Sequence, residues 1–379
     1  MDFRESKEHA LFREEVREFA QREFTPLIDE YEAKDQPPVQ IFKAAADRGY
    51  LGLLHPKEYG GLGKDLTHFV VFVEETTAVC AGIAGLLGLH ISGGTYPVSA
   101  FGTEEQKQKY LVPAIRGEKI SAFATTEPTG GSDVAGMLST AKKNGQHYII
   151  NGKKSYISNG SFAHFFNYTA KTDPTKGAEG ISMFFVDADT AGFTRRRMRT
   201  MGHRTGDTAE LFLADCRIPG SNLVGEEGKG FHYLMETVKR VRMLNSSQGV
   251  GLSRAVLGMA IEYAKNRRAF GRPISNFQGL RWIMADMAMR LEASRLLVYE
   301  AAWAVQENLS DCMKYLSMAK LYASETANYC AYQAGQIYGA NGYNADFAIE
   351  RMFRDAREFT LGDGTSEIHR VIIGRNIGL

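Results

Sequence analysis

Two stretches of the chain gather residue types in patterns that chemistry can use. The first, Phe123-Ala-Thr-Thr-Glu-Pro-Thr-Gly-Gly-Ser-Asp133, sets hydroxyls and glycines behind a short apolar run. Such a loop lets backbone N–H groups and side-chain hydroxyls approach a polar ligand closely, although a plain Gly/Ser turn has the same composition. The second, from Gln333 to Arg375, contains Gly362-Asp363-Gly364-Thr365. A carboxylate between two glycines lies on backbone that a substrate can reach, with a main-chain N–H beside it, so Asp363 is a candidate general base. Asp and Thr are also the residues that turn a chain and cap the next helix, and spacing alone favours that plainer role.

Other chemistries lack their residues. Gly249-Val250-Gly251 resembles the start of a dinucleotide fingerprint, but Arg254 stands where the third glycine belongs and no strand precedes it. Asp187-x-Asp189 with Gly192 begins like a calcium loop, yet Met198 occupies the position of the closing Glu. The nine histidines are scattered and the four cysteines form no C-x-x-C, so no metal site is expected and a reducing cytoplasm fits best. With 45 Lys+Arg against 44 Asp+Glu in 379 residues, the net charge of +1 argues against nucleic-acid binding. No apolar run is long enough for a signal peptide or a membrane span.

The elements that must position these residues follow an α, β, α order. From Glu8 to Asp29, Leu11, Val16, Phe19 and Phe24 recur at helical spacing and predict an amphipathic helix. Pro37 and Pro38 open a second helix, Leu66 to Leu89 reads as one buried helix, and Thr103 with Gln106 forms a capping box for a helix ending near Pro113. Between Ser121 and Cys216 the pairs Asn144-Gly145, Asn151-Gly152 and Asn159-Gly160 punctuate short apolar runs, Gln146 to Ile150 and Phe165 to Thr169 among them. They predict an antiparallel β domain turned by hairpins. Helical periodicity returns at Gly230 and continues through Phe277 to Gln306 and Asp311 to Tyr338. The expected domains are 1–118, helical; 119–228, β; and 229–379, helical, giving an α+β chain that is mainly α.

Six motifs, in this order and over essentially the whole chain, closely resemble the acyl-CoA dehydrogenase family: Thr126-Glu-Pro-x-x-Gly-Ser-Asp133, Ser155-Tyr-Ile-Ser-Asn-Gly160, Arg267-x-x-Phe270-Gly271, Phe277-Gln278, Gln336-Ile-x-Gly339-x-Asn-Gly342 and Gly364-Thr-Ser-Glu-Ile368. The resemblance implies a C-terminal four-helix bundle and FAD bound between the middle and C-terminal domains, completed by a neighbouring subunit within a homotetramer, a dimer of dimers. By position, Thr126, Tyr156 and Ser158 would lie against the isoalloxazine. Arg267, Phe270, Gln278, Gln336 and Gly339 would hold the pyrophosphate and adenine across the dimer, with Thr365 and Glu367 beside the dinucleotide. Ser132, Arg242 and Gly364 would meet the acyl-CoA. The implied reaction removes an α proton, here by Asp363, and passes a β hydride to flavin N5, giving a 2-enoyl thioester; an electron-transferring flavoprotein then accepts the electrons.

The chain departs from the family pattern in places that bear on substrate. Asp363 replaces a usual Glu, so the base is one methylene shorter, and Gly362 replaces an aromatic, a change expected to open space for a branched or cyclic acyl group. Val241 occupies the alternative base position and cannot serve. Ser158 stands for Thr, Tyr156 for Trp, Ala340 for Gly, and Lys239 for an acidic partner of Arg242. Two basic runs, Arg195 to Arg199 and Lys239 to Arg242, are candidates to meet CoA phosphates or an acyl carrier protein. A flavin oxidase of the nitroalkane oxidase type, which also uses Asp as base, is the alternative activity.

Overall fold

A computed structural model describes residues 5–379. Seven helices come first: α1 Lys7–Lys34, α2 Ile41–Asp47, α3 Leu66–Val79, α4 Ala81–Leu89, α5 Tyr96–Phe101, α6 Glu104–Gln106 and α7 Val112–Ile115. The strands follow: β1 Ser121–Ala124, β2 Thr140–Asn144, β3 His147–Ser158, β4 Phe165–Lys171, β5 Ile181–Asp187, β6 Phe193–Arg197 and β7 Thr208–Pro219. The last part holds α8 Gly230–Asn266, a small hairpin of β8 Arg268–Ala269 and β9 Arg272–Pro273, α9 Gln278–Gln306, α10 Cys312–Tyr338, α11 Ala348–Ala356 and α12 Ser366–Asn376. Three helical and β parts therefore appear in the expected order, and α8, α9, α10 and α12 form the bundle.

Local chemistry explains most boundaries. Ser6 caps α1, accepting from the His9 N–H, and Thr103 and Gln106 form the reciprocal capping box at 3.2 and 3.0 Å. On α1 the buried face is Phe12, Val16, Phe19 and Phe24, whereas Leu11 is exposed, contrary to expectation: the stripe is offset by one residue. Pro37 and Pro38 lead into α2 through a turn rather than lying within it. The expected single helix over Leu66 to Leu89 is broken at Cys80, whose φ of −157° is extended. The break lets α4 meet the β part closely: a Cβ on Gly82 would lie 2.3 Å from Thr205 Oγ1.

The seven-stranded sheet runs β1-β4-β2-β3-β7-β6, with β5 beside β4. Most pairs are antiparallel, but β1 lies parallel to β4, with Ser121 opposite Phe165, so the sheet is mixed. Asn144-Gly145 does turn the β2–β3 hairpin, with Gly145 at φ +60°. Asn151-Gly152 does not turn the chain. It lies inside β3 at a register shift against β7, where the Ser139 hydroxyl would meet any Cβ on Gly152 at 2.1 Å. Asn159 turns the chain off β3 at φ +61°, and its buried amide donates to the Leu86 and Ser121 carbonyls, tying sheet to α4.

Candidate functional site

The turn carrying Asp363 joins α11 to α12 and rests on two crossing helices. From α8, Arg242 Nε donates to the Asp363 carbonyl at 3.1 Å; from α10, Lys320 Nζ donates to the Gly364 carbonyl at 2.6 Å. Two buried cations thus hold successive carbonyls and keep Asp363 in the left-handed region at φ +58°. The Asp363 N–H has no hydrogen-bond partner among the described residues. Thr365 caps α12, its Oγ1 accepting from the Ile368 N–H at 3.4 Å, so the plainer reading of that residue is correct as far as it goes.

The surroundings tune the carboxyl. Burial raises the Asp363 pKa to about 7, helped by the nearby Glu358 carboxylate and opposed by Lys320, Arg242 and Asn245. Burial also lowers Lys320 to about 8 and Arg242 to about 10, the Asp363 charge partly offsetting both. His369, whose Nε2 lies 3.1 Å from where a Gly364 Cβ would sit, is pushed down to about 3 by burial and by Arg242 and Lys320. Four residues around the turn keep buried polar atoms without a partner among the described residues: Arg242 Nη1, Asn245 Oδ1, Ser366 Oγ and both His369 ring nitrogens. Buried polar groups are ordinarily satisfied, so this concentration marks a place prepared for a polar ligand.

The room expected at Gly362 is already taken. A Cβ there would lie 2.0 Å from Glu358 Oε1, so the missing aromatic is replaced by a second carboxylate rather than by open space. The basic runs are also largely used up within the chain. Arg195 donates to the Ala163 carbonyl, Arg196 pairs with Glu210, Arg197 reaches Asp35 and Asp207, and Arg199 comes within 3.8 Å of Asp35, although Arg196 and Arg199 stay largely exposed. Lys239 pairs with Glu236 at 2.7 Å, and Arg240 lies over the Tyr96 ring.

The β part gathers a second group. The Ser155 N–H donates to the Thr126 carbonyl at 2.9 Å, drawing Thr126 towards Tyr156 and Ser158 at the end of β3. Below them Lys154, fully buried, donates to Glu127 Oε1 and the Thr125 carbonyl, both at 2.9 Å, and burial lowers its pKa to about 8. Glu127 in turn accepts from the Leu138 and Ser139 N–H groups, so a closed internal network fixes the Thr126 loop. The register of β3 against β7 slips between Lys154 and Ile157; Tyr156, at φ +59°, turns outward there and is 65% exposed. Ser132 lies exposed further along the loop. This group approaches α8 through the turn His90–Gly94: a Cβ on Gly93 would lie 3.0 Å from Val241 Cγ2 and 3.3 Å from Phe123 Cβ.

A third group lies apart. Arg267, Gln278, Gln336 and Gly339 are exposed, and Phe270, at φ +53° on the β8–β9 hairpin, is 94% exposed. Tyr263 stacked on Tyr338, 4.0 Å between ring centroids, brings the ends of α8 and α10 together, so these residues share one end of the bundle. Glu367 is exposed at the start of α12. Sequence reasoning missed Lys320, Glu358, His369 and Lys154. A signal existed for Lys320, since it falls on the buried stripe of α10 between Leu316 and Ala323.

Comparison with known proteins identifies the family. The N-terminal, middle and C-terminal domain models of acyl-CoA dehydrogenases match residues 6–118, 122–216 and 228–378. A short-chain specific acyl-CoA dehydrogenase of Clostridium acetobutylicum is 39% identical over 378 residues, covering 100% of both chains. The caffeyl-CoA reductase-Etf complex subunit CarC of Acetobacterium woodii is 39% identical over 376 residues, 97% of each. The structure of butyryl-CoA dehydrogenase from Megasphaera elsdenii superposes with a TM-score of 0.96 at 35% identity, covering 100% of both chains. With three domains matched in order and full-length relatives well above chance identity, the chain belongs to the acyl-CoA dehydrogenase family, flavoprotein oxidoreductases acting on CH–CH groups.

Proposed function

We propose that this enzyme dehydrogenates a short acyl-CoA to its 2-enoyl thioester, with Asp363 as the base that takes the α proton. The carrying observation is the Asp363 turn: its carbonyls are held by Arg242 and Lys320, its N–H has no partner among the described residues, and burial raises the Asp363 pKa to about 7. A base near neutral pKa is both ionised in part and strong enough to abstract a weakly acidic C–H. The Asp363 N–H donates to the thioester oxygen as charge builds there, and the flanking cations oppose any drift of the backbone. A Cβ on Gly364 would lie 3.1 Å from His369 Nε2 and 3.4 Å from Arg242 Nη2, which supports a narrow approach beside Arg242; Ser132, on the exposed Thr126 loop, would meet the acyl-CoA from the β part.

The residues present fit FAD. Thr126, Tyr156 and Ser158 offer hydroxyls and an outward aromatic face beside a rigid loop, and Ser366 Oγ lies buried without a partner next to Thr365. FAD bound there would supply the hydride acceptor. Arg267, Phe270, Gln278, Gln336 and Gly339 hold the dinucleotide of a second copy, with Thr365 and Glu367 beside the chain's own; Phe270, 94% exposed, is open to such a contact. An exposed apolar stripe on α9, Trp282, Met289, Leu296 and Trp303, recurs every seventh residue and fits a helical seam between copies, in keeping with a homotetramer. An electron-transferring flavoprotein is the acceptor, consistent with the Etf complex named for the Acetobacterium relative.

Substrate class follows from Glu358. Glu358 Oε1 occupies the space where a Gly362 side chain would begin, and this supports short linear chains over bulky rings. Anaerobic mixing with butyryl-CoA, isobutyryl-CoA, cyclohexanecarboxyl-CoA and a carrier-bound acyl thioester, read by flavin bleaching, tests this. The fastest bleaching is expected with butyryl-CoA. No bleaching by any thioester, with rapid oxygen uptake on a nitroalkane, would replace the reading with an oxidase.

A further inference from the structure

We propose that Glu358 and Asn245 form a subsite for a hydroxyl group on the acyl chain, so that the short thioester taken here carries an alcohol beyond the two carbons that react. The inference rests on the dehydrogenase reading above and narrows its substrate.

Glu358 and Gly362 are four residues apart and matched to each other. The Glu358 carbonyl accepts from the Leu361 and Gly362 N–H groups at 2.8 and 3.0 Å, which pins both residues to the turn that carries Asp363. The Glu358 carboxylate folds back over that turn, and Oε1 takes the place where a Gly362 side chain would begin. Any larger residue at 362 would displace it, so the missing side chain is what admits the carboxylate.

The cations nearby are engaged elsewhere. Lys320 donates to the Gly364 carbonyl, Arg242 to the Asp363 carbonyl and the adjacent Arg357 to the Thr360 hydroxyl, and no group among the described residues donates to the Glu358 carboxylate. From α8, Asn245, only 1% exposed, brings Nδ2 to 3.5 Å from the same point and keeps Oδ1 without a partner among the described residues. A carboxylate and a buried carboxamide converging on one point call for a ligand group that both donates and accepts. An aliphatic chain placed there leaves them unpaired, and that penalty is how a site rejects the analogue lacking its hydroxyl.

An alcohol fits this point better than an amine. A cation beside Asp363 would lower its pKa further, as Lys320 and Arg242 already do, and so weaken the base. A neutral hydroxyl donates to Glu358 and accepts from the Asn245 amide without adding charge. It is not consumed: the α proton still passes to Asp363, the β hydride still leaves with its electron pair, and the C–O and O–H bonds of the alcohol stay intact.

4-Hydroxybutyryl-CoA and pentanoyl-CoA are close in size and differ by a hydroxyl against a methyl group, which isolates the contact. Anaerobic flavin bleaching of the holoenzyme, read as rate over half-saturating concentration, should favour 4-hydroxybutyryl-CoA by about tenfold or more. Glu358→Leu should abolish or reverse that ratio, and Glu358→Gln, which keeps an acceptor oxygen, should retain part of it, with flavin content and Tm reporting the fold of each. Glu358 also raises the Asp363 pKa, and a role confined to that effect would move the acid limb for both thioesters and leave their ratio unchanged. An unchanged ratio in Glu358→Leu, or a parent enzyme that takes pentanoyl-CoA equally well, overturns the subsite while butyryl-CoA still bleaches the flavin. Bleaching by none of the three removes the dehydrogenase reading itself, and the subsite with it.

Discussion

The turn carrying Asp363 and the bundle end carrying Phe270 are both proposed to serve one reaction, yet they are built in opposite ways. Around Asp363 the chain spends buried cations, a second carboxylate and a buried histidine on a few residues of backbone. Around Phe270 the side chains stand in solvent with little of the chain against them. From Lys320, which touches the base turn, to Tyr338 is roughly 27 Å along α10 at about 1.5 Å per residue. Chemistry that needs a proton moved at one atom demands preorganisation from within the chain. Holding the remote part of a dinucleotide demands only complementary surface, which a second copy can share.

Asp363→Asn tests the first half of that contrast most severely. Removing a positioned general base should slow anaerobic flavin bleaching by about 10²–10⁴-fold, while flavin content and Tm stay close to those of the parent. Bleaching that continued at the parent rate would deny Asp363 its role and leave the buried charges around it as structure alone.

How much of this contrast the sequence carried depended on the range of the interactions involved. Local chemistry was legible: the Thr103 capping box, the Asn144-Gly145 hairpin, the Thr365 cap and the spans of α9 and α10 each follow from neighbouring residues. Long-range packing was not. Cys80 breaks the helix just before Gly82, which packs against Thr205 of the β part, and Asn151-Gly152 stays in a strand paired with β7 and closed in by Ser139. The parallel pairing of β1 with β4 is likewise set by residues far apart in the chain. At the site, motif resemblance supplied Asp363, but Gly362 read as a vacancy until Glu358 was found in it. Lys320 lies on the apolar stripe of α10 between Leu316 and Ala323, a local signal, but that it holds the Gly364 carbonyl depends on a turn 44 residues away.

The pH dependence gives a finer test of the buried network. The Asp363 carboxyl must be ionised to accept a proton, so the bleaching rate should fall as pH drops below about 7, where the group becomes protonated. Lys320 holds that pKa down through its charge; Lys320→Met should therefore raise it, moving the acid limb to higher pH by about one unit or more and costing roughly fivefold or more in rate at pH 7. A limb that stayed in place while the rate fell would mean that Lys320 acts only through its hydrogen bond to the Gly364 carbonyl.

Phe270→Ala probes the other region, and its effect should be the smallest. An aromatic contact to a bound ring or a partner surface contributes about 0.5–1.5 kcal/mol beyond its burial, so FAD affinity should weaken by roughly two- to tenfold. Little intrachain packing is lost, because the ring is 94% exposed and meets chiefly Phe277 edge to face. At saturating FAD the bleaching rate and its acid limb should match those of the parent. If instead the limb moved as it does in Lys320→Met, the two regions would be energetically linked across the bundle, and the division between a private base site and a shared dinucleotide surface would not hold.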